Sequence, residues 1–362
     1  LDVQALGSIE LLEAGLNVAN VSMQTNNLTS TGDGVIRLIG DSAALTLNGE
    51  QALALETQLA TLALDYAAEN ALTINNTGDL WLTDWQAANA TNTALAATGV
   101  LRIPESGLAA NSRLSVSASD VTDSDRTLNF SAPELLVNLS NAQGENTWQL
   151  DGGIVDAQIN GAASLQIFSN GALGVQDLNG DAQAIHIADG NFSLYVNDGD
   201  LSVDGNITAS DITNDGLRNG IIDLVADNGN ILVGQSNNAA ITSRYNINGL
   251  DSTNRRDSGA EDGISLRLTD NTANERQIVL GNGSTAVALQ AVGSDIALNA
   301  WPVDTSEDAV RHVVQAQGVQ IEAFNNPTDS QTGQVLVNGV VVAAQPWQQI
   351  REGRTLTITT GK

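Results

Sequence analysis

The stretch of sequence that decides the fold runs from residue 220 to residue 234 and reads GIIDLVADNGNILVG. Before the turn, apolar side chains recur at every second position from Ile222 to Ala226, a period that is typical of β-strands. Ile231 and Val233 repeat the period after it. The residues between them, DNGN, favour a turn because Asn and Gly tolerate a positive φ. The stretch therefore predicts two short strands joined by a sharp turn.

This unit recurs along the chain, and its recurrence has a longer period. Leu194 and Val196 precede an NDGD turn at 197–200, and Leu201 and Val203 follow it. Similar apolar residues are separated by 20 or 21 positions, at Leu80 and Leu101, Leu114 and Leu135, Leu165 and Ile185, Leu173 and Leu194, and Leu201 and Ile222. Self-similarity at such a period is typical of a solenoid. The sequence predicts an all-β chain, a parallel β-helix (β-solenoid) with coils of ~20 residues.

The predicted solenoid covers residues 1–330, with one segment open to two readings. Residues 51–69 are rich in Ala and Leu, which favours a helix by propensity. However, Leu62, Leu64 and Tyr66 alternate, and we therefore predict strands.

Two further segments differ from the regular pattern. Residues 243–262 contain few apolar residues and include Arg255 and Arg256, so we predict a loop insertion there, either a binding loop or a plain solvated loop. Residues 331–362 contain Asn338-Gly339 between β-branched runs, which predicts a β-hairpin that caps the solenoid or joins it to a further module.

The composition limits the classes of partner. The chain has 14 basic and 42 acidic residues, a net charge of −28, so its surface repels phosphate backbones and anionic lipid. The sequence also contains no uninterrupted apolar run long enough to span a membrane. We therefore expect no nucleic acid partner and no direct membrane insertion. There is no Cys, which excludes disulfides, thiolate metal sites and Cys nucleophiles. The chain starts at Leu1 without a targeting segment, which suggests a piece of a longer protein.

The repeats at 194–203 and 220–234 resemble the β-solenoid shafts of filamentous haemagglutinin-like giant bacterial surface adhesins. This resemblance covers roughly residues 10–325. It implies a right-handed parallel β-helix in a large secreted or surface-attached protein. The Asn-Pro motifs of the family's amino-terminal secretion domain are missing, since the one Asn-Pro, Asn326-Pro327, lies near the other end.

From this resemblance we expect a structural or adhesive segment, a stalk or cohesive surface in attachment or biofilm, that lies outside the cell or on the bacterial surface. Its expected partners are cell-surface or matrix glycans or proteins, or neighbouring copies of itself. Two alternatives stay open. One is a polysaccharide lyase or hydrolase on a β-helix, and the other is an extracellular filament or sheath subunit.

Catalytic residues are not predicted. The two histidines, His186 and His312, are far apart in sequence, and His186 alternates with Ile185 and Ile187, which places it on the outer face. Carboxylate pairs are expected by chance in so acidic a chain, although β-helix lyases and hydrolases use such pairs.

Two ligand sites are predicted. Trp81 and Trp85 would point the same way in a strand, and paired indoles stack on sugars; the other reading is a pair packed in the core. No cofactor is required, and calcium is the expected small ligand. Its candidate ligands, which could also be plain turn residues, are Asp177, Asn179, Asp181, Asp198, Asp200 and Asp204. Ala182 occupies a position where an EF-hand-type loop needs Gly.

Overall fold

The computed structural model describes residues 1–123, 127–211, 220–244, 263–269, 276–292, 294–300, 312–316, 319–324, 335–337, 340–343 and 349–351. These residues contain strands and turns and no helix, so the chain is all-β, as predicted. None of them forms a helix that could serve as a membrane-spanning segment. The chain divides into two compact units, unit 1 with residues 1–143 and 147–149 and unit 2 with residues 144–146 and 150–362.

The first eighteen strands are β1 (Asp2–Gln4), β2 (Ser8–Leu11), β3 (Leu16–Asn17), β4 (Asn20–Thr25), β5 (Asn27–Ser30), β6 (Ile36–Ile39), β7 (Ser42–Leu47), β8 (Leu53–Gln58), β9 (Thr61–Tyr66), β10 (Leu72–Asn76), β11 (Leu80–Gln86), β12 (Asn92–Ala97), β13 (Val100–Arg102), β14 (Leu108–Ala109), β15 (Arg113–Ala118), β16 (Asp120–Thr122), β17 (Thr127–Ser131) and β18 (Glu134–Leu150).

The remaining strands are β19 (Gly153–Ser169), β20 (Leu173–Val175), β21 (Ile185–Asp189), β22 (Phe192–Asp198), β23 (Leu201–Val203), β24 (Ile207–Ser210), β25 (Ile222–Asn228), β26 (Ile231–Val233), β27 (Ala239–Arg244), β28 (Ile264–Leu268), β29 (Gln277–Leu280), β30 (Val287–Val292), β31 (Ile296–Asn299), β32 (His312–Gln315), β33 (Val319–Phe324), β34 (Val335–Val337), β35 (Val340–Ala343) and β36 (Gln349–Arg351).

Unit 1 is organised as two long parallel ladders of strands. One runs β1-β4-β7-β9-β11-β13-β16 and the other β3-β6-β8-β10-β12-β15-β18. Leu80 pairs with Leu101, and Leu114 pairs with Leu135, which confirms the predicted 21-residue spacing in this unit. The segment from 51 to 69 forms β8 and β9, so the prediction of strands there is confirmed.

Alternation in the sequence sets which side chains of unit 1 enter the core. Leu62, Leu64 and Tyr66 on β9 are buried, and the residues between them are partly exposed. Leu72 on β10 and Leu114 on β15, which lie two strands apart along the second ladder, are fully buried. Stacked aliphatic side chains of this kind provide the hydrophobic stabilisation of the unit.

Unit 2 contains three parallel ladders. The long strand β19 pairs with β20, β21 and β22 and so begins all three, and from β20 to β30 each strand pairs with the third one after it. β22 pairs with β25 and β25 with β28; β23 pairs with β26, and β24 with β27. The long parallel sheets of both units are compatible with a β-solenoid.

The predicted 20-residue spacing is wrong in unit 2. Leu165 pairs with Phe192 and not with Ile185, because two further strands, β20 and β21, lie between the paired strands. Leu173 pairs with Leu201, and Leu201 pairs with Ile231. Strands of neighbouring ladders carry similar apolar residues, so the 20-residue period in the sequence relates strands of different ladders and not strands that pair.

Stacked turns make unit 2 tightly packed where the chain changes direction. The predicted turn at 227–230 is confirmed, since β25 ends at Asn228 and β26 begins at Ile231. A Cβ added to Gly229 would lie 1.8 Å from the carbonyl oxygen of Gly199, in the turn one repeat earlier. Asp200 Oδ1 accepts hydrogen bonds from the backbone and side-chain nitrogens of Asn230, at 2.8 and 2.9 Å. Asn230 Oδ1 in turn accepts one from the backbone nitrogen of Gln277, at 2.8 Å.

The end of the described chain is antiparallel. β34 pairs antiparallel with β35, as a hairpin requires, and β36 pairs antiparallel with β33. The predicted turn residues Asn338 and Gly339 lie outside the described residues. β34 also continues the parallel ladder from β31. Most of the predicted loop insertion near 243–262 lies outside the described residues.

Candidate functional site

A polar groove crosses the outer face of the second ladder of unit 1. It has a volume of about 740 Å³ and runs over six neighbouring strands, β6, β8, β10, β12, β15 and β18. Register pairing aligns one outward position of each strand into a single row along it. The members of this row are Arg37, Glu56, Asn75, Ala96, Ser117 and Asn138.

The side chains of the groove are mostly short, polar and uncharged. A second outward row adds Gln58, Thr77 and Thr98. Ala97 and Ala118 also border the groove, but their side chains are buried. Within the described part of the chain, the side chains of Gln58 and Asn75 make no hydrogen bond to protein, and neither do those of Ser117 and Asn138. Their donors and acceptors are therefore available to a ligand.

A buried amide fixes the wall of the groove. Asn76, only 3% exposed, accepts hydrogen bonds from Thr57 Oγ1 at 2.7 Å and from the backbone nitrogen of Leu59 at 2.9 Å. Its Nδ2 donates to the carbonyl of Asp79 at 3.0 Å. These bonds hold the corner after β10, between Asn75 and Thr77 of the groove lining.

Charge is confined to one end of the groove. Arg37 contacts Glu56, with Nε 3.0 Å from Oε2, and also contacts Asp33 at 2.7 Å. The hydrogen bond from Arg37 holds the pKa of Asp33 at about 2. Among the described residues that line the groove, Glu56 is the only one with a carboxylate. Its charge is already paired with that of Arg37.

The predicted tryptophan pair does not share a face. Trp81 is 43% exposed, whereas Trp85 is 7% exposed and belongs to the core. The expectation that both point the same way is wrong, because a register shift between Leu82 and Asp84 reverses the alternation of β11. The Arg102 guanidinium lies 4.5 Å from the centre of the Trp81 ring, so one aromatic face is already occupied by a cation.

The predicted calcium ligands at 177–181 are brought together in a tight loop, but by hydrogen bonds to their own backbone. Asp177 accepts from the nitrogens of Gly180 and Ala182, at 2.6 and 2.8 Å. Asn179 Nδ2 donates to Asp181 Oδ2 at 3.0 Å. Ala182 adopts the left-handed region with φ 71°, the conformation that glycine would provide more easily.

The remaining calcium candidates lie on later turns. Asp200 binds Asn230 as described, and Asp204 Oδ1 accepts from the nitrogens of Ser236 and Asn237, at 2.8 and 3.3 Å. Asp198 is exposed at the end of β22. No cluster of three or more His, Asp or Glu side chains suited to a metal ion occurs among the described residues.

A buried carboxyl group, Asp156 on β19, anchors the loop at 177–181. It is fully buried; its Oδ2 accepts a hydrogen bond from the backbone nitrogen of Leu178 at 2.7 Å, and its Oδ1 accepts one from Gln158 at 3.4 Å. Burial, with a smaller contribution from the charges of Asp181 and Asp177, outweighs these hydrogen bonds and raises the pKa of Asp156 from 3.8 to about 6.

Replacing Asp156 with Asn tests this pKa. Because the folded pKa lies above the unfolded one, the folded chain binds a proton that the unfolded chain lacks, and this contribution to stability is lost as pH rises through about 6. Asp156→Asn keeps the acceptor for Leu178 and cannot ionise. We expect its melting temperature to exceed that of the native chain at about pH 7.5 and to match it near pH 4.

The control for this variant is Asp151→Asn, which removes one negative charge from an exposed position. Equal differences from the native chain at both pH values for Asp156→Asn would contradict the raised pKa.

His186 lies half-buried on the outer side of β21, between the buried Ile185 and Ile187, as the alternation predicted. It is the register neighbour of Gln158, and burial lowers its pKa. The side chain of His312 lies outside what the structure describes.

Sequence reasoning missed both the groove and Asp156. The groove had a signal, since the outward positions of successive strands carry Asn75, Ser117 and Asn138 at register spacing. Asp156 had none, because the alternation at 155–159 resembles that of any exposed strand face, and the loop at 177–181 buries it only in three dimensions.

Comparison of the chain with protein-family models, with curated proteins and with solved structures finds no match.

Proposed function

We propose that this chain is a right-handed parallel β-solenoid that serves as a structural and adhesive segment, a stalk or cohesive surface, of a large extracellular or surface-attached bacterial protein. The observation that supports this most is the parallel register itself, in which buried aliphatic residues stack strand after strand while polar residues face outward. Right-handed geometry is proposed because connections between parallel strands of one sheet are almost always right-handed.

The charge of the chain fits such a role. A net charge of −28 keeps a repetitive surface soluble and opposes uncontrolled edge-to-edge association. The expected partners are glycans or proteins of cell surfaces and matrices, or further copies of the chain. Calcium bound by turn carboxylates would stabilise the fold modestly.

A polysaccharide lyase or hydrolase is the second candidate, and the groove is the observation that favours it. Glycoside hydrolysis normally uses two carboxyl groups that flank the bond to be broken. The described lining offers only one carboxylate, that of Glu56, and it forms an ion pair with Arg37. We therefore favour a binding role for the groove over a hydrolytic one.

Display of the chain on a non-adherent bacterium tests this function. We expect cells that carry it to clump or attach to polysaccharide-coated surfaces more than cells that carry a globular protein of equal size, with a stronger effect in millimolar calcium than in chelator. The purified chain should release no reducing ends or unsaturated products from a polysaccharide panel.

Absence of any attachment would contradict the adhesive role. Product formation that Glu56→Gln abolishes would favour the enzyme instead.

A further inference from the structure

The groove of unit 1 presents one side chain of its first row on each strand, and five of the six, all but Ala96, are polar. Neighbouring strands are about 4.8 Å apart, so the row from Arg37 to Asn138 crosses five intervals and is roughly 24 Å long. One sugar residue adds a similar length to an extended polysaccharide. A peptide strand advances by only about 3.3 Å per residue and would lose register with the row.

The chemistry of the lining also selects among ligands. The unpaired amides of Gln58, Asn75 and Asn138 each present both donors and an acceptor, which suits hydroxyl groups that do both. Ala96, the outward alanine of the row, leaves room and offers a small apolar surface to the carbon face of a sugar ring.

Electrostatics decides between charged and neutral glycans. The chain carries a net charge of −28, which repels acidic polysaccharides at long range. Inside the groove, the positive charge of Arg37 is already paired with Glu56 and Asp33 and is therefore not free to attract them. A cationic ligand would find no unpaired carboxylate on the described lining.

We propose that this groove binds an extended, uncharged polysaccharide whose axis runs across the strands, with about one sugar residue per strand. The proposal rests on the proposed adhesive function in one respect, which is that a glycan is the expected class of partner. Binding is a property of the purified chain, so a failure of the cell-attachment test and a failure of binding are separate results.

Calorimetric titration of the purified chain with linear neutral oligosaccharides tests the proposal. The probes are β-1,4-linked glucose, β-1,4-linked mannose and β-1,3-linked glucose, each from the disaccharide to the octasaccharide. We expect at least one series to bind, with affinity that rises with length and levels off near the hexasaccharide. An oligogalacturonate of equal length and a Ser/Thr-rich peptide should bind more weakly.

Variants locate the binding site. Asn75→Ala combined with Asn138→Ala removes two amides and should weaken the best oligosaccharide about tenfold, since each neutral hydrogen bond contributes about 1 kcal/mol or less. Ser117→Trp fills the groove and should abolish binding. The matched control is Ser115→Trp, on the same strand and the same outward face but outside the lining, which should leave affinity unchanged.

Melting curves establish whether each variant folds. If either tryptophan variant fails to fold, the double variant Asn75→Ala with Asn138→Ala (the amide variant) still tests the proposal. The proposal is overturned if none of the neutral series binds, if the acidic oligosaccharide or the peptide binds more tightly, or if the amide variant binds as the native chain does.

Discussion

Leu224→Asp is expected to unfold the central part of unit 2. Leu224 is fully buried on β25 and pairs in register with Leu194 on one side and Leu266 on the other, both of which are buried. An aspartate there would be a charge in an apolar column without a partner, and we expect a loss of more than about 4 kcal/mol in the free energy of unfolding. Hydrogen exchange by mass spectrometry should show lost protection in β22, β25 and β28.

The control for Leu224→Asp is Asp227→Ala, on the same strand. Asp227 lies near the turn and accepts a hydrogen bond from the hydroxyl of Thr269, so its loss should cost about 1 kcal/mol or less. If the two substitutions were equally harmful, the division of β25 into an inward and an outward face would be wrong.

Gly229→Ala is expected to be nearly as harmful, although it adds a single methyl group. The new Cβ would lie 1.8 Å from the oxygen and 2.3 Å from the carbonyl carbon of Gly199. These are backbone atoms of the preceding turn and cannot rotate away, so the turns must separate. We expect a loss of about 3 kcal/mol, measured as a lower midpoint of urea unfolding.

Gly7→Ala is the matched control, because nothing lies within 4 Å of its added Cβ. It should change the free energy of unfolding by less than about 0.5 kcal/mol. A harmless Gly229→Ala would mean that the turns at 199 and 229 are not stacked and that the 30-residue register between them is incorrect.

Local alternation predicted most of the strands, because inward and outward positions differ in hydrophobicity on every strand. It resolved the segment at 51–69 against helix propensity, since Leu62 and Leu64 must share a face to be buried together. It did not identify which strands pair. In unit 2, Leu201 resembles Ile222 as closely as it resembles Ile231, and only the packing of three ladders makes Ile231 its neighbour.

Side-chain direction was predictable only where the alternation continued without interruption. The register shift in β11 places Trp81 outside and Trp85 inside, and no residue in that segment signals it. The groove depends on six strands at once, and the burial of Asp156 depends on a loop more than 20 residues later in the chain. Such sites arise from packing between residues that are far apart in sequence, so the local alternation of side chains cannot predict them.

The bonds that turns make to the turn of the next repeat constrain how this chain can change in evolution. Asp200 accepts a hydrogen bond from Asn230, and Asn230 accepts one from Gln277, so each of these turns positions the one that follows it. The spacing between paired residues grows from 30, at Phe192 and Ile222, to 42, at Ile222 and Ile264, while the strands stay in register. Duplication or loss of a whole repeat, or a longer loop between two strands, keeps these hydrogen bonds between turns and the strand register. A single-residue insertion inside a strand does not keep the register. The gene can therefore lengthen by recombination between its own repeats while the core residues stay under selection.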